Sequence, residues 1–321
     1  MRVVVFGYGP VGKAVVARLM ARGDDVVVAQ RNQPQDLQGA RFTACDILDP
    51  TSVGPALGNA SQIVLAVGFP YISRVWKTAW PKAIANVLQS AAIAKARVVF
   101  VDNLYMYGPQ RTPLREDMAL THYGRKPRVR ADITRLWQSA NDVCFAALRA
   151  SDFYGPGVTQ SHLGEQAFGA LARGKAAMFV VSPDILHDFA YVPDIARAVA
   201  SLLDASDDAY GQAWHVPCAP ITTPRRILEL GAAAIGAKSR AMVLPSALAP
   251  IIGAFSPMVA EMSEMRFQWK RPYVVDASKF SKRFWSDATP FEIGACETAR
   301  SFLEHRATNR APSAVVGAAA T

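Results

Sequence analysis

Three glycines near the start of the chain have the spacing of a phosphate-binding turn. Gly7 ends the strand-like run of residues 2–7, and Gly9 follows it. Gly12 opens a segment, residues 12–23, with apolar residues at helical spacing. In this G-x-G-x-x-G pattern the first glycine permits a tight turn, the second admits a pyrophosphate, and the third lets strand and helix pack closely. The pattern predicts a dinucleotide at the helix N-terminus, where backbone N–H groups and partial positive charge favour phosphate.

The end of the second predicted strand indicates which dinucleotide binds. Sites for NAD usually place an Asp or Glu at this point, where it holds the ribose 2′-hydroxyl. Here the strand, residues 25–30, is followed by Arg31 and Asn32. A guanidinium group pairs with phosphate through two parallel hydrogen bonds. The sequence therefore predicts NADP, with NAD as the less favoured cofactor; the alternative is that Arg31 is a solvated cation of the loop.

Short β-branched runs alternate with helical patterns through the first half of the chain, which predicts an α/β fold with a parallel sheet covered by helices on both faces. The predicted strands are residues 2–7, 25–30, 41–46, 61–67, 97–103 and 143–150. The predicted helices are residues 12–23, 50–58, 76–96, 193–205 and 223–237. Asp46, after the third strand, could accept a hydrogen bond from adenine, and the small residues of "AVGFP" (66–70) would let a cofactor approach the fourth.

Composition narrows the range of partners. The formal net charge is +9, which favours anionic ligands. The basic run at 123–132 lacks interleaved aromatic residues for base stacking, so nucleic-acid binding is not predicted. Residues 241–260 carry no charge but contain three prolines, which indicates a buried, broken helical segment and not a membrane span. The four cysteines have neither zinc nor redox spacing, and no signal peptide is evident, so we expect reduced thiols, no metal and a cytoplasmic protein.

Several segments, in this order, resemble the short-chain dehydrogenase/reductase superfamily, and most closely its extended or atypical branch, the NAD(P)-dependent epimerase/dehydratase-like proteins. Besides the N-terminus, the segments that carry the resemblance are "VVFVDNLYMYGP" (98–109), "LRASDFYGPGV" (148–158) and "HDFAYVPDIARAV" (187–199). The resemblance implies a Rossmann-type doubly wound parallel sheet with a smaller C-terminal α/β substrate lobe. It also implies a homodimer formed through helices near residues 76–96 and 127–140.

The expected domains follow from this resemblance. Residues 1–150 would form the dinucleotide-binding domain, with strand contributions from about 185–217, residues 151–308 would be mainly the substrate-binding lobe, and 309–321 would be a disordered tail. The residues expected to contact the cofactor are Gly7, Gly9, Pro10, Val11, Gly12, Arg31, Asn32, Asp46, Ile47, Ala66, Val67, Gly68, Ala150 and Ser151.

The resemblance implies a catalytic set of Ser or Thr, Tyr and Lys, the last two spaced Tyr-x-x-x-Lys. The Ser or Thr position falls on Asn103, whose amide can still donate a hydrogen bond to a substrate oxygen. The Tyr position falls on Tyr123, but Pro127 occupies the Lys position and Lys126 stands one residue early. Tyr123 and Lys126 are therefore either the catalytic pair, shifted by one residue, or loop residues, and Tyr105 is the reserve phenol.

Two histidines are candidate substrate contacts, His162 and His187. His187 stands where members that act on nucleotide sugars often carry an Arg, which weakens the case for a diphosphate substrate; otherwise it is a surface histidine. Bulky apolar residues of the lobe are expected mostly in its core, but their abundance indicates an apolar cleft: Trp214, Phe255, Met258, Met262 and Trp269.

The sequence thus predicts an NADP-dependent oxidoreductase that acts on a carbonyl or alcohol of a small or apolar substrate. One alternative is an epimerase or dehydratase that retains and regenerates its cofactor. Another is a non-catalytic NADP-binding regulatory protein, which the interrupted Tyr-x-x-x-Lys pattern supports.

Overall fold

The computed structural model describes residues 1–244 and 261–310, and its centre is a parallel sheet of seven strands. Near-continuous Val and Ile runs suit strands that are buried on both faces. The strands of this sheet are β1 (Arg2–Phe6), β2 (Asp25–Gln30), β3 (Arg41–Ala44), β4 (Gln62–Leu65), β5 (Arg97–Asp102), β6 (Phe145–Arg149) and β10 (Ala213–His215). Their order across the sheet is β10-β6-β5-β4-β1-β2-β3.

Helices cover both faces of the sheet. The α-helices that lie wholly within the described residues are α1 (Pro10–Ala21), α2 (Pro50–Leu57), α3 (Ser73–Ala94), α4 (Lys126–Gln138), α5 (Ala170–Ala172), α6 (Val192–Leu203), α7 (Pro224–Ala234), α8 (Ser278–Arg283) and α9 (Phe291–Arg310). One core cluster joins Val15 of α1 to Ile195 of α6 across strands β1 and β2. The opposite cluster joins Trp80 of α3 to Ile133 of α4 across β4 and β5. The apolar stripes of these helices are thus buried on the two sides of one sheet.

The order of the strands places a crevice at the carboxyl ends of the central strands. The chain runs from β1 outward through β2 and β3, and then returns so that β4 pairs with the other side of β1. In open parallel sheets, ligands bind beyond the carboxyl ends of the strands at such a reversal. The residues after β1, β4, β5 and β6 therefore meet at one place.

A smaller layer of structure follows β6. It contains two short parallel pairs, β7 (Asp152–Tyr154) with β9 (Phe189–Tyr191), and β8 (Ala177–Phe179) with β11 (Ala241–Val243). Helices α7 and α9 pack in its core, where Ile227 and Ala295 are fully buried. Most of this layer comes from the second half of the chain, but β10 returns to the main sheet beside β6.

The predicted fold class, a Rossmann-type doubly wound parallel sheet with a smaller C-terminal α/β lobe, is confirmed. Strand β2 has the predicted bounds, and the other predicted strands of the sheet are shorter by one to three residues at their ends. Residues 241–243, placed in a broken helix by sequence, form β11, because they pair with β8. Residues 245–260 lie outside the described residues. Helix α9 extends to Arg310, and the rest of the expected tail lies outside them. Within the described part of the chain, no helix has the length and apolar character needed to span a bilayer.

Candidate functional site

The glycine turn after β1 is closed on one side and open on the other. Gly7 has φ +91°, and a Cβ atom there would lie 2.7 Å from the carbonyl oxygen of Ala66. A Cβ atom on Gly12 would lie 2.1 Å from the carbonyl oxygen of Gly7. A Cβ atom on Gly9, which precedes the first residue of α1, would meet nothing within 4 Å. Two glycines thus permit close packing, and Gly9 leaves open space at the helix N-terminus, which fits a pyrophosphate.

A cavity of about 480 Å³ runs from this turn along the carboxyl ends of β4, β5 and β6. Eight of the expected cofactor contacts line it: Gly9, Pro10, Val11, Ala66, Val67, Gly68, Ala150 and Ser151. The cavity is large enough for an organic ligand and has mainly aromatic and aliphatic walls, as ligand sites usually do. The residues present therefore fit the nicotinamide half of a dinucleotide that extends from the glycine turn.

The loop after β2 lies outside the cavity lining. The Gln30 side chain occupies the end of the strand, where its oxygen accepts from the Tyr8 backbone N–H (3.1 Å) and its amide donates to the Asn32 carbonyl (2.7 Å). Arg31 and Asn32 are exposed beside it. No carboxylate stands at the last residue of β2, and Arg31 is free of hydrogen bonds to other described residues. This loop presents a guanidinium group where an adenosine ribose would be expected.

The expected adenine contacts after β3 form a short, braced turn. The exposed Asp46 accepts from the backbone N–H of Leu48 through Oδ1 (3.0 Å). Ile47 is buried, and its carbonyl accepts from the Asn86 side chain of α3 (2.9 Å). Asp46 thus retains its second carboxylate oxygen for hydrogen bonds to a ligand at the end of β3.

Asn103 and Tyr105 line the cavity at the end of β5. The Asn103 Oδ1 atom accepts from the Tyr105 backbone N–H at 3.0 Å, which leaves the Asn103 amide group to donate elsewhere. The Tyr105 ring stacks on Trp76 with centroids 6.2 Å apart. Burial raises the pKa of Tyr105 and nearby Asp152 raises it further, while Tyr71 and Arg130 oppose the increase. The phenol therefore carries its proton at neutral pH.

Tyr123 and Lys126 lie together but outside the cavity lining. Tyr123 is 43% exposed and packs edge-on against Phe267, with ring centroids 5.4 Å apart. Lys126 is fully buried at the start of α4, where its Nζ atom forms an ion pair with Glu261 and donates to the Ser73 hydroxyl (3.2 Å). Lys126 is thus bound to carboxylate and hydroxyl groups, and its Nζ atom also lies 4.3 Å from the ring centroid of Tyr71, a residue that lines the cavity.

A buried ion pair at the cavity wall was missed by sequence reasoning. Arg130 Nη1 donates to Asp102 Oδ1 at 2.7 Å, and the guanidinium group lies 3.8 Å from the ring centroid of Trp80. Asp102 Oδ2 and Arg130 Nε have no hydrogen-bond partner among the residues that the structure describes. Burial raises the pKa of Asp102 and lowers that of Arg130, in each case against the attraction of the partner. The sequence held one signal for Arg130, its spacing from Lys126. Arg130 follows Lys126 by one helical turn on α4, so the two side chains lie on the same face of the helix.

A second buried polar network lies behind the cavity. Arg149 Nη1 donates to the Tyr107 hydroxyl (2.5 Å), which is 2.9 Å from His215 Nε2. Burial raises the pKa of Tyr107 to about 12 and lowers that of His215 to about 3. None of the three side chains lines the cavity, so this network braces strand ends and does not contact a ligand there.

The two histidines expected to bind substrate lie behind Asp152, a cavity residue at the start of β7 that sequence reasoning did not single out. His187 is buried, so it is not a surface residue, and its Nε2 atom lies 3.2 Å from Asp152 Oδ2. His162 stacks on Trp269 with centroids 5.0 Å apart, and burial lowers its pKa to about 4. Neither histidine lines the cavity. The signal for Asp152 was its position shortly after β6, because the carboxyl end of this parallel strand lies at the crevice.

The bulky residues expected to form an apolar cleft do not line the cavity where they are described. Trp214 packs against Phe280 in the core beside α1 and α6, and Trp269 donates to Asp152. Met262 packs in a small cluster with Met265. Phe255 and Met258 lie outside the described residues. The walls are instead formed by aromatic residues of the first half, namely Phe69, Tyr71, Trp76, Trp80 and Tyr105, with Phe153 and Tyr273.

The described residues offer no group of three His, Cys, Asp or Glu side chains that could hold a metal ion. Within that part of the chain the four cysteines are free thiols. The polar side chains of the described lining are three amides, two hydroxyl groups, three phenols, two carboxylates and one guanidinium group.

Sequence and fold relate this chain to known proteins. A sequence model described as "NAD dependent epimerase/dehydratase family" matches residues 3–216. No curated protein gives a significant match. Among solved structures, the UDP-glucuronic acid 4-epimerase of Bacillus cereus in complex with NAD has a TM-score of 0.78 at 14% identity, with 97% of this chain and 99% of that chain covered.

Two other solved structures have the same overall arrangement. The Bordetella bronchiseptica enzyme WbmH in complex with NAD+ has a TM-score of 0.73 at 18% identity, with 95% of this chain and 99% of that chain covered. The dTDP-glucose 4,6-dehydratase of Bacillus anthracis in complex with NAD has a TM-score of 0.77 at 14% identity, with 96% and 98% covered. At these identities the likeness concerns the fold.

Proposed function

We propose that this chain, which belongs to the NAD dependent epimerase/dehydratase family, is an NADP-dependent oxidoreductase that acts on a carbonyl or alcohol of a small or apolar substrate. The observation that carries the proposal is one cavity that joins the glycine turn at Gly9 to Asn103 and Tyr105. A dinucleotide site and groups able to handle a carbonyl oxygen are thus parts of the same space.

The choice of NADP rests on the loop after β2. Gln30 replaces the acidic residue that would hold a ribose 2′-hydroxyl, and the exposed Arg31 follows it. A guanidinium group favours a 2′-phosphate, whereas a carboxylate would repel it. The solved structures named above contain NAD, so NAD is the competing cofactor.

The bound cofactor would supply a nicotinamide that accepts or donates hydride. Asn103 would orient the substrate oxygen, because its amide oxygen is fixed by the Tyr105 backbone and its N–H groups are left to donate. Tyr105 would give a proton to that oxygen, or take one from it, at its hydroxyl. Arg130 would favour the phenolate form of Tyr105, since a nearby cation stabilises an anion. This assignment gives Arg130 part of the role that the resemblance assigns to a lysine.

The proposed class of substrate follows from the side chains that line the cavity. Trp76, Trp80 and Phe69 form an aromatic surface around the polar end of the cavity. The described lining contains one basic side chain, Arg130, and that side chain is paired with Asp102. These features favour a small or apolar carbonyl compound over one with a diphosphate.

Steady-state assays with NADPH and NADH would test the proposal. We expect loss of absorbance at 340 nm with a panel of aldehydes and ketones, and a higher kcat/KM with NADPH. Tight NADPH binding without turnover of any member of the panel would contradict the redox reaction and would support the regulatory alternative.

The family favours a second candidate, an epimerase or dehydratase that retains its cofactor. This candidate predicts that dinucleotide copurifies with the chain and that substrate is converted with no net change at 340 nm. Release of the cofactor from heat-treated protein, followed by chromatography, would identify it. Absence of bound dinucleotide in the purified protein, together with net oxidation of added NADPH, would exclude this candidate.

We also propose a cytoplasmic homodimer formed through α3 and α4. These helices pack against each other, and their outer faces include Lys77 and Lys82 on α3 and Asp132 on α4. Sedimentation velocity at micromolar concentration would test the assembly, and a single species with the mass of one chain would contradict it.

A further inference from the structure

Asp152 is the carboxylate of the described cavity lining that has no Lys or Arg partner. Trp269 Nε1 donates to its Oδ2 atom (2.6 Å), and His187 Nε2 lies 3.2 Å from the same oxygen. Its other oxygen, Oδ1, accepts no hydrogen bond from the part of the chain that the structure describes. The remaining charges of the lining, Asp102 and Arg130, neutralise each other. Burial raises the pKa of Asp152, but the interactions with His187, His162 and Trp269 together outweigh this effect and lower the pKa, so the group is a carboxylate at neutral pH.

Three tyrosine rings line the cavity with this carboxylate, and one face of each is covered: that of Tyr71 by the Lys126 Nζ atom, 4.3 Å from the ring centroid, that of Tyr105 by Trp76, and that of Tyr273 by His187. Tyr71, Tyr105 and Tyr273 line the same cavity, and the charge of Asp152 raises the pKa of all three phenols, in each case in addition to the larger effect of burial. The faces of aromatic rings attract cations, most strongly where water is excluded. Gln268 lines the cavity as well, and its Oε1 atom has no hydrogen-bond partner within the described part of the chain. The site therefore combines a negative charge, π faces and a second free acceptor.

We propose that the substrate carries a protonated amine, which is bound by the Asp152 carboxylate between the tyrosine rings. This inference rests on the proposed function and adds the chemical class of the substrate. An ammonium group has three donors and a positive charge, which match the free oxygen of Asp152, the Gln268 carbonyl and the ring faces. A carboxylate or phosphate in the same place would be repelled, because like charges at close range in a partly buried site cost free energy.

The competing occupant of this site is the cofactor itself. The oxidised nicotinamide ring also carries a positive charge, and the cavity would hold that ring near the end of β6. A carboxylate beside it would favour NADP+ over NADPH. The test must therefore separate a charge that selects substrate from one that selects the oxidation state of the cofactor.

Calorimetric titrations of the full chain can make this separation. The probes are benzylammonium, benzyl alcohol and benzoate, which have similar shapes and different charges, each added to the chain saturated with NADP+. The proteins are the wild type, Asp152→Asn, and Asp287→Asn as a matched control, since Asp287 is an exposed carboxylate outside the cavity that pairs with Arg197. NADP+ and NADPH are titrated separately into all three.

We expect the wild type and Asp287→Asn to bind benzylammonium at least about tenfold more tightly than the other two probes, and Asp152→Asn to lose this preference. Equal binding of benzoate, binding of no probe, or retention of the preference in Asp152→Asn would overturn the inference. A change in the ratio of NADP+ to NADPH affinity in Asp152→Asn, without an amine preference in the wild type, would assign the carboxylate to the nicotinamide and also overturn it.

The outcomes distinguish this inference from the proposed function. Normal binding of NADP+ without an amine preference removes only the substrate class. Failure of both dinucleotides to bind the wild type removes the proposed function, and the three probes are then titrated into the chain alone. The comparison of the probes on the wild type does not depend on the folding of any variant.

Discussion

Two tyrosines compete for the role of proton donor, and the structure separates their surroundings. Tyr105 lines the cavity beside Asn103, whereas Tyr123 is largely exposed and contacts Phe267. We expect Tyr105→Phe to lower kcat by about 100-fold or more, as the loss of a general acid usually does, with little change in dinucleotide affinity. Tyr123→Phe is the matched control and should change kcat by less than about threefold. The opposite ranking in steady-state kinetics would assign the reaction to Tyr123.

Asn103 allows a test of the proposed hydrogen bond to the substrate oxygen. Replacement by Ala removes the donor and should lower kcat by about 100- to 1,000-fold, as the loss of a comparable donor does elsewhere. Asn103→Ser restores a short donor at the same position, so it should recover part of the activity. Equal kcat values for the two variants would mean that Asn103 only supports the backbone of Tyr105, which it contacts through Oδ1.

Arg31 decides the cofactor in our proposal. Arg31→Ala should reduce the preference for NADPH over NADH, measured as the ratio of the two kcat/KM values, by about tenfold or more, because a charge-assisted pair with the 2′-phosphate is lost. Arg135, an exposed cation of α4 that pairs with Asp132, provides the control substitution Arg135→Ala. An unchanged ratio in Arg31→Ala would return Arg31 to the alternative of a solvated loop cation.

At the scale of the element, two glycines of the turn between β1 and α1 should affect different properties. Gly9 should affect the binding of the dinucleotide, and Gly12 the stability of the fold. Gly9 has φ −72° and ψ −172°, an extended conformation that other residues adopt, and open space lies beside it. We expect Gly9→Val to keep its unfolding temperature and to lose at least about tenfold in affinity for NADPH, because the side chain would occupy the path of the pyrophosphate.

Gly12 is the control for this turn. A Cβ atom there would lie 2.1 Å from the Gly7 carbonyl oxygen, so Gly12→Ala should destabilise the fold by about 1–3 kcal/mol. Thermal unfolding and fluorescence titration with NADPH measure both effects. A normal affinity for NADPH in Gly9→Val would place the phosphates elsewhere and would remove the basis of the cofactor assignment.

Six of the seven strands of the main sheet could be predicted because their signals are local, whereas β10, with three residues, was not among the predicted strands. Runs such as "DVVVAQ" are long, β-branched and bounded by turn residues, and β2 has the predicted bounds. Strands β7, β8, β9 and β11 have three residues each, so their sequences carry too few positions for a period. Their pairing comes from contacts distant in sequence, which is why residues 241–243 were assigned to a helix.

The site was predictable where a motif fixes the backbone and not where side chains meet through the fold. The glycine spacing led to the turn, and Asn103 and Tyr105 both line the cavity. The Asp102–Arg130 pair and Asp152 were missed, because a buried charge is recognisable only once its partner and its burial are known.

At the scale of the whole molecule, one glutamate joins the C-terminal part of the chain to two helices that cover the main sheet. Glu261 accepts from the Ser73 backbone N–H at the start of α3 (3.0 Å) and from the Ser73 hydroxyl (2.5 Å), and it pairs with the buried Lys126 of α4. Burial raises the pKa of Glu261, but these hydrogen bonds and the charge of Lys126 outweigh it and lower the pKa to about 2. The ionised form is thus favoured by folding.

The direction of the pH dependence follows from this shift. Because the folded pKa lies below the unfolded value, the contribution of Glu261 to stability is complete above about pH 4.5 and is lost as the pH falls toward 2. We expect Glu261→Gln to reduce the free energy of unfolding by about 2–3 kcal/mol at pH 7, with a difference from the wild type that narrows below pH 4.5. Glu165→Gln, which removes a surface pair with Arg173, should change it by less than about 1 kcal/mol at any pH. Urea denaturation from pH 7 to pH 3 measures these differences, and a gap between Glu261→Gln and the wild type that stays constant across this range would show that Glu261 does not link the two parts through its charge.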